Sequence, residues 1–140
     1  MPVSFFKEKV RFTFRDKEKI TSWILSAIRK HGAKPGQINI VFCTDPYLRK
    51  LNKSFLNHDY NTDILTFPGE EDAAGVSGEI YISVDRVKVN AGIYKVEFCD
   101  ELHRVLIHGI LHLLGYEDAS EKQKKEMRAV EDYWLEKRNF

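Results

Sequence analysis

His108 and His112 stand four residues apart, followed by Gly115 and then by the carboxylate of Asp118. A helix turns about 100° per residue, so positions i and i+4 differ by only about 40° and two imidazoles at that spacing can converge on one ion. Glycine reaches left-handed backbone conformations cheaply. The chain can therefore end its helix at Gly115 and carry residue 118 back over the histidines as a third ligand. Two imidazoles and a carboxylate oxygen, with a further position open to water, are a usual plan for a catalytic zinc site. Such an ion brings the pKa of bound water towards neutrality and polarises the bond under attack, so hydrolysis is the natural reaction class. A bare His-x-x-x-His is more often a pair of satisfied core histidines, with Asp118 a helix cap. The glycine and the further carboxylate turn the reading to metal.

The spacing equals that of the metzincin peptidases, His-Glu-x-x-His-x-x-Gly-x-x-His, with two substitutions. Gly109 stands where the general-base glutamate would be, and Asp118 where the third histidine would be. Without that glutamate a peptidase lacks its proton acceptor, so a zinc metallopeptidase is disfavoured.

The elements that must position these groups follow from periodicity. Leu102, Leu106, Ile107, Ile110, Leu111, Leu113 and Leu114 cover most of a helix from about Asp100 to Leu114. One stripe, Glu101, Val105, His108 and His112, flanked by Arg104, stays largely polar, and a core helix with a polar stripe usually lines a cleft. Upstream, Val3 to Phe6 and Val10 to Phe14 read as one or two short strands. Asp16 is placed to cap a helix carrying Ile20, Trp23, Ile24, Ala27 and Ile28, and Gly32 to stop it. Gln37 to Thr44 reads as a strand, and Asp45-Pro46 as a cap with proline at the first helical position. Leu48, Leu51 and Phe55 form the expected buried stripe of that helix. Asp63 to Phe67 and Glu79 to Val84 read as strands joined by a loop containing Pro68, Gly69, Gly75 and Gly78. Asp85 opens a basic helical stretch towards Tyr94. Ser120 with Gln123 makes a capping box for a last helix with Met127, Val130 and Trp134 inward. This pattern predicts an α+β fold: one domain over residues 1–140, a small mixed β-sheet covered by about five helices, with the metal site on a buried helix lining a cleft.

The chain has 140 residues, 43% hydrophobic, enough for one core, and 22 basic against 21 acidic residues, so no global field draws it to a polyanion. An RNA partner would be held by a local patch. Arg86, Lys88 and Lys95 form one candidate, and Lys122, Lys124, Lys125 and Arg128 another. Cys43 and Cys99 read as buried free thiols in a reducing compartment. No signal peptide and no membrane-length apolar run is apparent, which predicts a cytoplasmic protein with no membrane partner, taken as a monomer. His31 and His103 have no visible partner and read as structural.

His108, Gly109, Leu111, His112, Leu113, Gly115 and Tyr116 together resemble the signature of the YbeY family, the endoribonucleases of ribosomal RNA maturation, His-Gly-x-Leu-His-Leu-x-Gly-Tyr-Asp-His. Leu51-Asn52, Thr62-Asp63-Ile64-Leu65-Thr66-Phe67-Pro68 and Gly78-Glu79-Ile80-Tyr81-Ile82-Ser83 resemble the family's other signatures, in the family's order. The resemblance implies a zinc-dependent, single-strand-preferring endoribonuclease that trims ribosomal RNA precursors and associates with the small ribosomal subunit. It further implies a mixed sheet with helices and the metal helix at the cleft.

Asp118 replaces the family's third histidine, and Glu117 the aspartate before it. A carboxylate ligand is compatible with zinc and also suits manganese or iron, and Glu117 is an alternative ligand. Leu56 falls where the family has an arginine, next to Phe55, which matches its aromatic. Arg49, Lys53 or His58 would then have to supply the positive charge, or the metal works alone. The expected site is His108, His112 and Asp118 on the metal, with Glu117 or His58 handling the proton. The competing reading is a ribosome-assembly or RNA-binding module in which the metal fixes the fold.

Overall fold

Helix α1 (Lys17–Lys30) forms where Ile20, Trp23, Ile24, Ala27 and Ile28 recur at helical spacing, and all five are buried. The computed structural model describes residues 2–70 and 75–140. Asp16 does occupy the N-cap position of α1. Its backbone, however, is left-handed, at φ 59°, and its side chain caps nothing, because a capping side chain needs an extended residue at that point. Gly32 follows the last turn at φ 81°, as its position in the sequence predicts.

Among the described residues, β1 (Val3–Lys7) is the only strand before α1. Val10 to Phe14 is not a second one. Lys9 turns the backbone at φ 55°, and Phe12 and Phe14 fold over the sheet to pack on Phe42 with ring centroids 4.9 and 4.8 Å away. The remaining elements are β2 (Pro35–Cys43), α2 (Asp45–Leu56), β3 (Ile64–Pro68), β4 (Val76–Ser83), α3 (Val84–Tyr94), α4 (Phe98–Leu113) and α5 (Glu121–Glu136). Strand β4 starts before Glu79, and both Pro68 and Gly78 lie inside strands rather than in the loop between them. The middle of that loop, 71–74, lies outside the described residues. Gly78, at φ 156°, sits where an added Cβ would come within 2.7 Å of the Phe67 carbonyl, so the β3–β4 pairing needs a glycine there.

The sheet has four strands in the order β1-β2-β4-β3, parallel except for the antiparallel edge strand β3. Alternation along each strand divides its two faces. Ile38, Ile40, Phe42, Ile80 and Ile82 point into the main core with α1 and α4. Cys43, Leu65, Phe67 and Tyr81 point the other way, towards α2.

Helix α2 departs from expectation at both ends. Its cap is Thr44, whose Oγ1 accepts from the Tyr47 amide, and Asp45 is already helical. Asp45 is used elsewhere: Ser83 Oγ donates to it at 2.6 Å and Arg86 Nη2 at 2.8 Å, tying α2 to α3. Ser83, rather than Asp85, caps α3. Leu48 is fully buried, but Phe55 is 68% exposed, because α2 turns Leu48 and Asn52 to the protein. Asn52 Nδ2 donates to the Tyr60 carbonyl and so anchors the loop that follows. Cys43 is buried, its thiol pushed up to about 12 by burial and then by Asp85 and Asp45. Cys99 is exposed, contrary to expectation, since it lies in the first turn of α4 on the solvent side.

Candidate metal centre

Helix α4 is buried along most of its length, and Gly109 shows how tightly. A Cβ on Gly109 would stand 2.8 Å from Ile64 Cδ1 and 3.1 Å from two Ile80 carbons, so the helix rests directly on β3 and β4 at that point. A glutamate cannot occupy this position, which also faces the sheet rather than the cleft.

The helix ends in a Schellman motif. Tyr116 N–H donates to the Leu111 carbonyl and Gly115 N–H to the His112 carbonyl, with Gly115 at φ 102°. The reversal brings the Tyr116 carbonyl to 3.1 Å from His112 Nδ1 and carries Asp118 back over the helix. His31 supports the same turn from α1. Trp134 Nε1 donates to its Nε2 at 3.1 Å, and the Tyr116 hydroxyl lies 3.3 Å from its Nδ1. His103 is also partnered: Arg138 Nη1 donates to its Nδ1 at 2.7 Å. None of the three partners was visible in the sequence, since Tyr116, Trp134 and Arg138 meet these histidines only through the fold.

His108 Nε2 and His112 Nε2 are 3.0 Å apart, and Asp118 Oδ2 lies 3.4 Å from the first and 3.6 Å from the second. These three side chains form the one group among the described residues that could hold a metal ion, with ligand atoms all within 4.8 Å of each other. The ring orientations are set from behind. His108 Nδ1 is 2.6 Å from Glu131 Oε2 and His112 Nδ1 faces the Tyr116 carbonyl, so each Nδ1 has an acceptor for a proton and both Nε2 atoms turn towards Asp118. Two ring nitrogens this close cannot both point a proton at each other, so one positive charge, a proton or a metal ion, fits between them and Asp118. Burial works against a charge on His108, but the hydrogen bond and charge of Glu131, with Asp118 and Asp63, outweigh it and raise its pKa. Burial and then the His108 charge lower that of His112.

The sequence reading missed Glu131. It is 5% exposed, on α5 between Met127 and Trp134, and Arg104 Nη1 donates to its other oxygen at 2.9 Å. Arg104 also reaches Asp132 at 2.6 Å. Met127, Glu131 and Trp134 share one face of the helix, and a carboxylate on an apolar stripe was the available signal.

A cavity of about 370 Å³ opens beside the cluster, lined by His108, Asp118, Asp63, Glu101 and, on the α5 side, Lys124 and Arg128. Burial raises the pKa of Asp63, against the pull of His108. Burial and then Asp63 raise that of Glu101. Of the basic patches, the α5 one thus reaches the cleft through Lys124 and Arg128, while Arg86 is held by Asp45. The Glu117 carboxylate accepts from Gln123 Nε2 at 3.1 Å, and His58 stacks on Tyr60, its Nδ1 3.1 Å from that hydroxyl. Neither lines this cavity. Leu56 is 43% exposed, and Arg49 is paired with Asp59 at 2.9 Å.

A four-stranded mixed sheet with five helices and a histidine–carboxylate cluster at a helix end defines an α+β protein with a candidate metal centre. The family profile described as Endoribonuclease YbeY matches residues 3–139. A Cytophaga hutchinsonii protein named Endoribonuclease YbeY is 44% identical over 138 residues, covering 99% of this chain and 96% of the relative. An Amoebophilus asiaticus protein of the same name is 40% identical, covering 95% and 90%. The solution structure of TM1509 from Thermotoga maritima aligns with a TM-score of 0.66 at 29% identity, over 96% of this chain and 87% of that one. The chain belongs to the YbeY family of endoribonucleases. Among the described residues, no helix is long and apolar enough to cross a membrane.

Proposed function

We propose that the chain, acting as one domain over 1–140, is a metal-dependent endoribonuclease that cuts single-stranded segments of ribosomal RNA precursors. The observation that carries the reading is the convergence of His108 Nε2, His112 Nε2 and Asp118 Oδ2 beside an open cavity. These residues would hold one ion, zinc in the first instance, with manganese or iron admitted by the carboxylate. When bound, such an ion supplies Lewis acidity and a water acidic enough to act near neutral pH.

The protein's own groups do the rest. Glu131 and the Tyr116 carbonyl fix the two imidazoles, and Asp118 rather than Glu117 completes the ligand set. Lys124 and Arg128 meet phosphates entering the cavity, in place of the arginine that Leu56 lacks. Proton transfer was expected of Glu117 or His58. Glu117 would first have to leave Gln123, and His58 to leave Tyr60. Asp63, a half-buried carboxyl already lining the cavity, is better placed to accept a proton from the attacking water. The ribosomal substrate, the small ribosomal subunit as partner, a part in its quality control and a cytoplasmic location rest on family membership.

A second reading, an assembly module with a structural metal, draws on the carboxylates of Asp63 and Glu101 in the cavity, which oppose a polyanion. Cleavage of a labelled single-stranded RNA separates the two. The nuclease reading expects cleavage that a chelator abolishes, that zinc or manganese restores and that His112→Ala lacks. Subunit binding without any cleavage would favour the module.

A further inference from the structure

Phe55 was expected in the core and is instead largely in solvent, and its surroundings give this exposure a use. It is the outermost member of an aromatic row: its ring centroid lies 5.8 Å from Phe67, which lies 5.7 Å from Tyr81, both edge-on. With Tyr47, Lys50, Leu51 and Ser54 it forms one stripe of α2. That stripe and Lys9 line a groove of about 520 Å³. Among the described residues no carboxylate lines it; Glu8 and Glu79 exert their charge on the Tyr47 hydroxyl but form no part of the wall. The groove lies on the α2 face of the sheet, whereas the metal centre lies on the α4 face. Strand β3, the sheet's edge, stands between them, and the loop from α2 passes Tyr60, 54% exposed, on its way to Asp63 in the cleft.

Resting on the nuclease reading, we propose that this groove is a second contact site for single-stranded RNA. Phe55 and Tyr47 stack unpaired bases, and Lys9 and Lys50 meet the flanking phosphates. An exposed Phe55 and a half-buried Tyr47 beside two lysines are the chemistry that single strands need: stacking tolerates any base, and the cations follow the backbone. A strand rounding the β3 edge would touch both faces, so the groove would hold long substrates without taking part in cleavage.

The test is fluorescence anisotropy of a labelled single-stranded RNA of roughly a dozen nucleotides, long enough for such a site. It is run under chelation, with the wild type, Phe55→Ala, Phe55→Trp and Lys50→Glu. Cleavage of a tetranucleotide and of the long RNA is followed in parallel, with zinc added. Phe55→Ala and Lys50→Glu are expected to weaken binding about tenfold, to raise KM on the long RNA and to leave tetranucleotide cleavage unchanged; Phe55→Trp is expected to bind like the wild type. Unchanged long-RNA binding in both weakened variants, with the tetranucleotide still cut, overturns the groove alone and assigns the surface to a protein contact. A wild type that neither binds nor cuts RNA overturns the nuclease reading and the groove together.

Discussion

Glu131 Oε2 lies 2.6 Å from His108 Nδ1, and Arg104 holds the opposite oxygen of the same carboxylate at 2.9 Å. A helix from the end of the chain thus sets the tautomer of a candidate ligand on α4. The carboxylate also makes the ring a better donor, since a partner behind an imidazole raises its basicity towards a metal.

Replacing Glu131 by glutamine is therefore expected to cut metal affinity roughly 10- to 100-fold. It should also lower stability by about 1–3 kcal/mol, the range for a disturbed buried polar contact, with Arg104 still held by Asp132. Competition with a chelating dye reads the first quantity and urea unfolding the second. Unchanged affinity would remove Glu131 from the site.

Gly109 gives a prediction about packing. Gly109→Ala gains helix propensity of up to about 1 kcal/mol, but its Cβ would meet Ile64 at 2.8 Å and Ile80 at 3.1 Å. Overpacking of that kind costs about 1–3 kcal/mol. A net loss of stability is expected for alanine, and loss of the folded state for glutamate, followed by circular dichroism on heating. A Gly109→Glu protein that melts like the wild type would contradict the direct contact between α4 and the sheet.

Acid sensitivity should trace in part to His103. Burial, and then the Arg138 guanidinium, lower its pKa from 6.5 to about 4. Its Nδ1 accepts from Arg138 only while the ring is neutral. The unfolded chain takes up this proton near 6.5 and the folded chain only near 4, so the unfolded state binds more protons across that window. The contribution is complete above 6.5 and is lost as pH falls to about 4. After discounting for solvent screening it amounts to roughly 1–2 kcal/mol. His103→Gln should lose less stability than the wild type between those pH values in urea titrations. An equal loss would contradict this assignment.

Asp63→Asn tests the proton acceptor proposed above. It keeps the side chain's size and leaves the ligand trio intact, so metal content should stay near the wild-type level while kcat falls about 100-fold or more, a typical general-base contribution. Retained kcat would return that role to Glu117 or His58.

What the sequence revealed was local in origin. The histidine pair, the Gly115 turn and the Ser120 capping box are short-range patterns, and each formed as read. What it concealed depended on elements meeting across the fold. Glu131 gains its meaning only when α5 packs behind α4. Phe55 follows the periodicity of a buried residue, yet the tilt that buries Asn52 turns it outward. Asp45 has the chemistry of a cap, but Ser83 at the end of β4 and Arg86 at the start of α3 claim its carboxylate.

The central claim is that His108, His112 and Asp118 hold one divalent ion, and elemental analysis of protein purified without chelators measures this most directly. The wild type and Glu117→Ala are expected to carry about one ion per chain, the content of a single ligand set, and His112→Ala and Asp118→Ala far less. A wild type with no stoichiometric ion, or an ion retained when His112 and Asp118 are both replaced, would contradict the account.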